Sequence, residues 1–233
     1  MKFIVQPEVF EKLPEACFGI VVARGVDNRN LNPAIEQLLD GAIESIRERL
    51  DGANTKEVPD IVVYREAFQA LGFNPNKFMC SIEALVKRIL KGGDFPRISN
   101  LVDLGNAMSL KYILPMGAHD IAASPHDIEI RFAREGDAFV PFGTTETEAV
   151  DPGELIYVRG NSVKTRRWIW RQSEVGKITE DSTDIFLPID GFSDFNRGAV
   201  EAAQKELAEL LENVFGCVVK TGFVDRNCTA MEL

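Results

Sequence analysis

Between Arg97 and Asp120 small and polar side chains crowd an apolar helical repeat. Ser99, Asn100, Asp103, Gly105, Asn106 and Ser109 interrupt a run whose apolar residues keep helical spacing. A helix buried only among apolar neighbours carries few groups that need hydrogen-bond partners. The pattern therefore points to a helix whose backbone something approaches closely. Asp103 and Asn106 lie three apart and share a helix face, where they bind a ligand or fix the adjoining loop. Gly105 permits close approach, and Asn100 is a candidate cap or ligand contact. His119, a few residues on, titrates near neutrality. It reads as a general base, as a hydrogen-bond donor, or as a structural cap before Asp120.

A second concentration of chemistry lies at Val163–Arg171, read as one strand. Strand alternation places Arg167, Ile169 and Arg171 on one face and Arg166, Trp168 and Trp170 on the other. With Lys164 and Lys177 this is the strongest basic patch on the chain. Interleaved arginine and tryptophan suit phosphates and unpaired bases. The alternative is a pair of core tryptophans with paired arginines. Ser81, Ser173 and Thr183 are available hydroxyl donors, but no Ser-His-Asp arrangement emerges.

The 233 residues carry 36 acidic and 26 basic side chains, a net charge of −10. That balance excludes a general nucleic-acid coat, which needs a broad basic field, but allows an RNA held by a local patch. Cys17, Cys80, Cys217 and Cys228 have no C-x-x-C spacing, and only His119 and His126 could join them. Reduced thiols near the core are expected, with no metal and no cofactor. The apolar run Phe3-Ile-Val5 is broken by Gln6-Pro7-Glu8 and is too short for a signal-peptide core. No membrane span is expected, and the cytoplasm is the expected setting.

These residues need elements to position them. Lys2–Val5 reads as a strand, Glu8–Leu13 as a helical turn and Phe18–Ala23 as a strand. Asn32-Pro33 caps and starts a helix running to Leu50. Ile61–Ala70 is ambiguous. Ser81 caps a helix stopped by Gly92-Gly93, and the Arg97–Leu110 helix follows. The period then changes to strands at Ile128–Phe132, Leu155–Val158, Val163–Arg171 and Ile185–Leu187, with a hairpin at Gly160-Asn161. A long helix returns from about Asp194 and closes at Gly216, followed by a strand at Val218–Val224. Segregated helices and strands imply an α+β fold.

Asn100-Leu-Val-Asp-Leu-Gly-Asn106 followed by Pro115-Met-Gly-Ala-His-Asp120 resembles the B3/B4 domain of the bacterial phenylalanyl-tRNA synthetase beta subunit. That family has an N-x-V-D-x-x-N helix and a P-x-x-A-x-D turn there. Ile130–Gly136, Asp151–Tyr157 and Thr179–Ile185 resemble its later motifs, in order, so the likeness spans about residues 60–215. Nothing resembles an aminoacylation core. The expectation is one freestanding B3/B4-type domain over 1–233, a layered β-sheet core with flanking helices, residues 1–58 forming an N-terminal strand-helix extension.

The resemblance implies hydrolysis of the ester of a mischarged aminoacyl-tRNA in trans. The partner is then the tRNA 3′ end, with the amino-acid moiety held in a pocket. It implies Glu174 as the side-chain-reading carboxylate and His119 as the second catalytic candidate. Asn100, Asp103, Asn106, Gly117 and Ser173 become substrate contacts. Lys164, Arg166, Arg167, Trp168, Trp170 and Arg171 become RNA contacts. The chain departs from the family at Gly117, where the synthetase has a histidine, and at Arg166–Arg171, where it has a glycine-rich strand. The alternatives are a non-catalytic tRNA- or amino-acid-binding module, or a small-molecule hydrolase or sensor without RNA.

Overall fold

In the computed structural model, which describes residues 1–29, 32–122, 124 and 126–233, the strand Ala16–Arg24 (β2) is covered on both faces. Phe18, Ile20 and Val22 enter one apolar core, while Cys17, Val21 and Ala23 enter another. This period-2 division between two cores organises the molecule. Asp184–Phe192 (β10) pairs with β2 along nine residues and splits the same way. Phe186 and Phe192 face the first core; Ile185, Leu187 and Ile189 face the second.

β2 and β10 form the centre of a four-stranded antiparallel sheet, completed by Val218–Val224 (β11) beside β2 and His119–Asp120 (β3) beside β10. A larger sheet runs in the order Ala230–Glu232 (β12), Lys2–Val5 (β1), Ile128–Phe132 (β4), Leu155–Arg159 (β7), Ser162–Arg166 (β8), Ala138–Phe139 (β5) and Glu148–Ala149 (β6), with Arg171–Gln172 (β9) also on β8. β1 runs parallel to β4, and β5 to β8; the other pairs are antiparallel. Phe3 of β1 meets Phe186 at 5.2 Å and Phe18 at 6.0 Å between ring centres, which joins the sheets face to face.

The second core lies under two helices, Asn100–Tyr112 (α5) and Arg197–Phe215 (α6), which cover the other face of the small sheet. Pro7–Lys12 (α1) follows β1, and Pro33–Arg49 (α2) packs along α5. Pro59–Ala70 (α3) and Ser81–Leu90 (α4) seal the first core. The ambiguous Ile61–Ala70 segment is thus helical, with Ile61, Tyr64 and Phe68 on its buried face. As the sequence implies, Asn32 caps α2 by accepting from the Ala34 N–H at 2.9 Å. Ser81 is the first residue of α4 rather than its cap; Cys80 holds that place and makes no side-chain cap bond. Ser99, not Asn100, caps α5.

The expected α+β fold is the one observed, and both sheets use strands from the N-terminal segment 1–24. α6 approaches β2 and β10 at Gly19 and Gly191. A Cβ on Gly191 would lie 2.4 Å from Val200 Cγ2 and 2.7 Å from Asn196 Oδ1. The glycines therefore set how closely α6 seats. Gly191→Ala is expected to lower stability by about 1–3 kcal/mol, measured as a shifted urea midpoint at unchanged slope.

Candidate functional site

The segment carrying the Pro115–Asp120 motif runs antiparallel to β10. Gly117 N–H donates to the Pro188 carbonyl at 3.1 Å, and Asp190 N–H to that of Pro115 at 3.0 Å. Pro188 has no N–H to return to Gly117, so the ladder is only half made beside β3. A chamber of about 70 Å³ lies at this break, with His119, Tyr157, Trp168 and Asp190 in its walls.

Asp190 is the buried acid of its wall. The residue is 1% exposed, and its Oδ1 accepts from Tyr157 Oη and from Trp168 Nε1, both at 2.7 Å. No described residue donates to Oδ2. Its backbone carbonyl accepts from Tyr64 Oη at 2.9 Å, and Asn196 Nδ2 donates to that hydroxyl at 2.9 Å. Burial raises the Asp190 carboxyl to about 7, while its two donors act in the opposite sense.

His119 stacks on Tyr157 at 6.0 Å. Burial, with the charges of Lys164 and Arg159, lowers it to about 3, so the ring is neutral. Its Nδ1 is the sole buried side-chain nitrogen or oxygen without a hydrogen-bond partner among the described residues. A Cβ on Gly117 would lie 3.1 Å from His119 Nε2 and 3.3 Å from Pro188 Cγ. Glycine at 117 thus lets the imidazole and the proline ring close on the backbone.

Met116, Gly117 and Gln172 also line a larger outer cleft of about 390 Å³. α5 presents Val102, Gly105 and Asn106 to it, and the opposite side presents Phe142, Lys177 and Ile178. The Asn106 amide has no hydrogen-bond partner among the described residues. The polar helix therefore meets the Pro115–Asp120 segment across a cleft, and Gly105 leaves α5 open to it, with nothing within 4 Å of the place of its Cβ.

Glu174 does not line either cavity. Its carboxylate accepts from the Gly143 N–H at 3.0 Å and pairs with Lys177, which holds it below the usual glutamate range. It clamps the Phe142 loop against the Lys177 turn, so it positions the rim. Ser173 is occupied too, donating to the Val140 carbonyl and accepting from the Val175 N–H, each at 3.1 Å. Asn100 accepts from the Asn32 N–H at 3.0 Å and Asp103 from the Ile98 N–H at 3.1 Å. Of the five expected substrate contacts, Asn106 and Gly117 reach the cleft; the other three fix loops.

The expected Val163–Arg171 strand ends at Arg166. Residues 167–170 form a tight turn in which Arg167 and Trp168 adopt left-handed φ values of 46° and 61°. The alternation of faces fails there, and with it the common arginine-tryptophan surface. Arg166 donates to both oxygens of the buried Glu154, at 3.0 and 2.9 Å. Arg167 N–H donates to the same carboxylate at 3.0 Å, while its guanidinium lies 3.9 Å from the Phe78 ring centre. Trp168 is fully buried, and Lys164 Nζ bonds Ser162 Oγ at 2.9 Å. Trp168, Trp170 and Arg171 of this set border the chamber. Burial moved the rest inward, because each cation found an internal acceptor or ring.

The sequence reading missed Asp190. It stops the strand at Leu187, where proline normally ends pairing. The surviving signal is the continued alternation through Ile189 and Phe192.

A small chamber and a larger cleft that share Met116, Gly117 and Gln172, each lined by apolar groups with a few polar ones, have the usual make-up of a pocket in an α+β protein. The sequence model of the B3/4 domain matches residues 63–216, well over half the chain, and the protein belongs to the B3/4 domain family. Its fold is also similar to an N-terminal fragment of the phenylalanyl-tRNA synthetase beta-subunit from Pyrococcus horikoshii. The identity is 10% and the TM-score 0.44, over 93% of this chain and 49% of that one. The chain thus spans about half the length of that fragment. No match is found among curated proteins.

Two stability measurements test the buried charges. Arg166→Ala leaves Glu154 short of its main partner and is expected to cost about 3 kcal/mol in urea unfolding. For Asp190, the folded carboxyl at about 7 exceeds its unfolded value of 3.8. Its contribution is fully present below the unfolded pKa and is lost as pH rises towards 7. Wild type relative to Asp190→Asn should therefore lose up to about 1.4 kcal/mol per pH unit between pH 4 and 7, then level off. His119 acts oppositely, losing its contribution as pH falls from 6.5 towards 3, but is common to both proteins and cancels.

Proposed function

We propose that the protein is a trans-editing hydrolase that cleaves the ester of a mischarged aminoacyl-tRNA. The observation that carries this reading is the meeting of the polar α5 face with the Pro115–Asp120 segment across one cleft, where Asn106 has no hydrogen-bond partner among the described residues and Met116, Gly117 and Gln172 are shared with the chamber that His119 lines. The outer cleft takes the terminal ribose and the ester, and the chamber takes the amino-acid moiety.

Ester hydrolysis joins a water oxygen to the carbonyl carbon, breaks the carbon–ribose oxygen bond and returns a proton to the ribose hydroxyl. Neutral His119 orients the water through a ring nitrogen. The Asn106 amide donates to the oxygen that gains charge, where a fixed donor contributes most. With most of Lys164–Arg171 engaged internally, any tRNA contact falls to the rim, where Phe142 is half exposed beside Lys177.

A second reading follows from those same engaged arginines and the charge of −10: a module that binds a small amino-acid-like ligand without RNA or turnover. Incubation with a panel of mischarged tRNAs separates the two. Editing predicts release of the amino acid from at least one species, with Asn106→Ala slowing it about 100-fold while the protein stays folded. Release from none, with folded protein, removes the hydrolase reading.

A further inference from the structure

We infer that the inner chamber is a recognition site for a primary ammonium group carried on a short apolar stem, with Asp190 as its counter-ion. The inference deepens the reading above by naming the chemical class that the chamber takes.

Asp190 is buried, no cation lies within ion-pair distance, and both hydrogen bonds to its carboxylate come from neutral donors on one oxygen. Three other buried carboxylates are paired, Glu83 with Arg65 at 2.7 Å, Asp137 with Arg131 at 2.7 Å and Glu154 with Arg166 at 2.9 Å, while Asp103, at the rim of burial with 8% exposed, accepts from the Ile98 N–H. A buried carboxylate without a cation is costly. Here it faces a cavity, so a ligand can supply the missing charge. The neutral His119 ring lines the same chamber.

Size and lining narrow the class. About 10–15 Å³ of such space holds one water, so the chamber accommodates roughly five to seven non-hydrogen atoms. Met116, Ile169 and Pro188 offer apolar wall to a methylene stem, and the indoles of Trp168 and Trp170 suit a cation. An aminoalkyl side chain of four or five atoms fits this space. The α-ammonium of an aminoacyl group carries the same chemistry, so the test separates the two sources.

Binding to the 233-residue chain is measured by calorimetry at pH 7.5 with three probes. Nα-acetyl-lysine amide carries only the side-chain ammonium, norleucine amide only the α-ammonium, and Nα-acetyl-norleucine amide neither. Binding of one or both ammonium probes at least tenfold tighter than the neutral one, lost in folded Asp190→Asn, supports the inference, and the tighter probe identifies the source. Equal binding of the neutral probe, unchanged binding in Asp190→Asn, or no binding of any probe overturns it.

Wild type alone provides a second readout, because affinity should rise between pH 6 and 7.5 as Asp190 ionises. The titratable groups around it hold one state over that range. Tyr64 and Tyr157 are raised well above the usual tyrosine value, Cys17 is raised to about 12, and His119 is lowered to about 3. Lys164, at about 8, loses charge mainly above this range, and Arg159, though lowered by burial, remains cationic. A flat profile counts against Asp190 as the counter-ion. Deacylation of mischarged tRNA without ammonium preference removes this inference and leaves the hydrolase standing. Ammonium binding without deacylation does the reverse.

Discussion

One buried carboxylate ties the architecture together. Asp190 sits on the central strand of the small sheet and takes hydrogen bonds from Tyr157 of the large sheet and from Trp168 in the turn after β8. Its backbone carbonyl receives Tyr64 of α3, whose hydroxyl in turn receives Asn196 at the start of α6. Two sheets and two helices thus converge on Asp190, beside Gly191, where a Cβ would collide with Val200 and Asn196. Interior hydrogen bonds are individually modest but expensive to leave unmade, so the network fixes the relative placement of the layers.

The same network explains why a cavity exists where packing would otherwise close. Trp168 reaches Asp190 only because residues 167 and 168 accept left-handed backbone, a conformation that costs a non-glycine residue about 1 kcal/mol or more. The surroundings hold it there: Arg167 N–H is bonded to Glu154, and Trp168 N–H donates to the Leu155 carbonyl at 2.6 Å. On the facing side, Pro188 withholds a donor and Gly117 withholds a side chain. Neither wall fills the gap, and polar atoms remain at its surface.

Charge is distributed by the same logic of burial. An acidic chain with a short run of arginines invites a surface reading of those arginines. In the folded protein Arg166 neutralises Glu154 and Arg167 lies against aromatic rings, so their charge serves the interior. What reaches the outer cleft is a small mixed rim containing Lys177, held in place by Glu174.

The elements and their class were legible in the sequence because local rules govern them. The Asn32-Pro33 helix start, the Gly160-Asn161 hairpin, the αL glycine at 216 and the polar face of α5 each rest on neighbours along the chain. Asn106, Gly117 and His119 could be grouped for the same reason, lying on one motif-bearing stretch. The fate of Arg166, Arg167 and Trp168 was decided only in three dimensions, since their partners Glu154 and Asp190 lie 12 to 22 residues away. Asp190 was hidden by a proline that ends most strands but here sits opposite a segment that does not need its N–H. Sequence determined which residues are polar, small or strand-forming; tertiary structure alone decided which polar groups meet, because desolvation and pairing depend on neighbours that the chain brings together only when it folds.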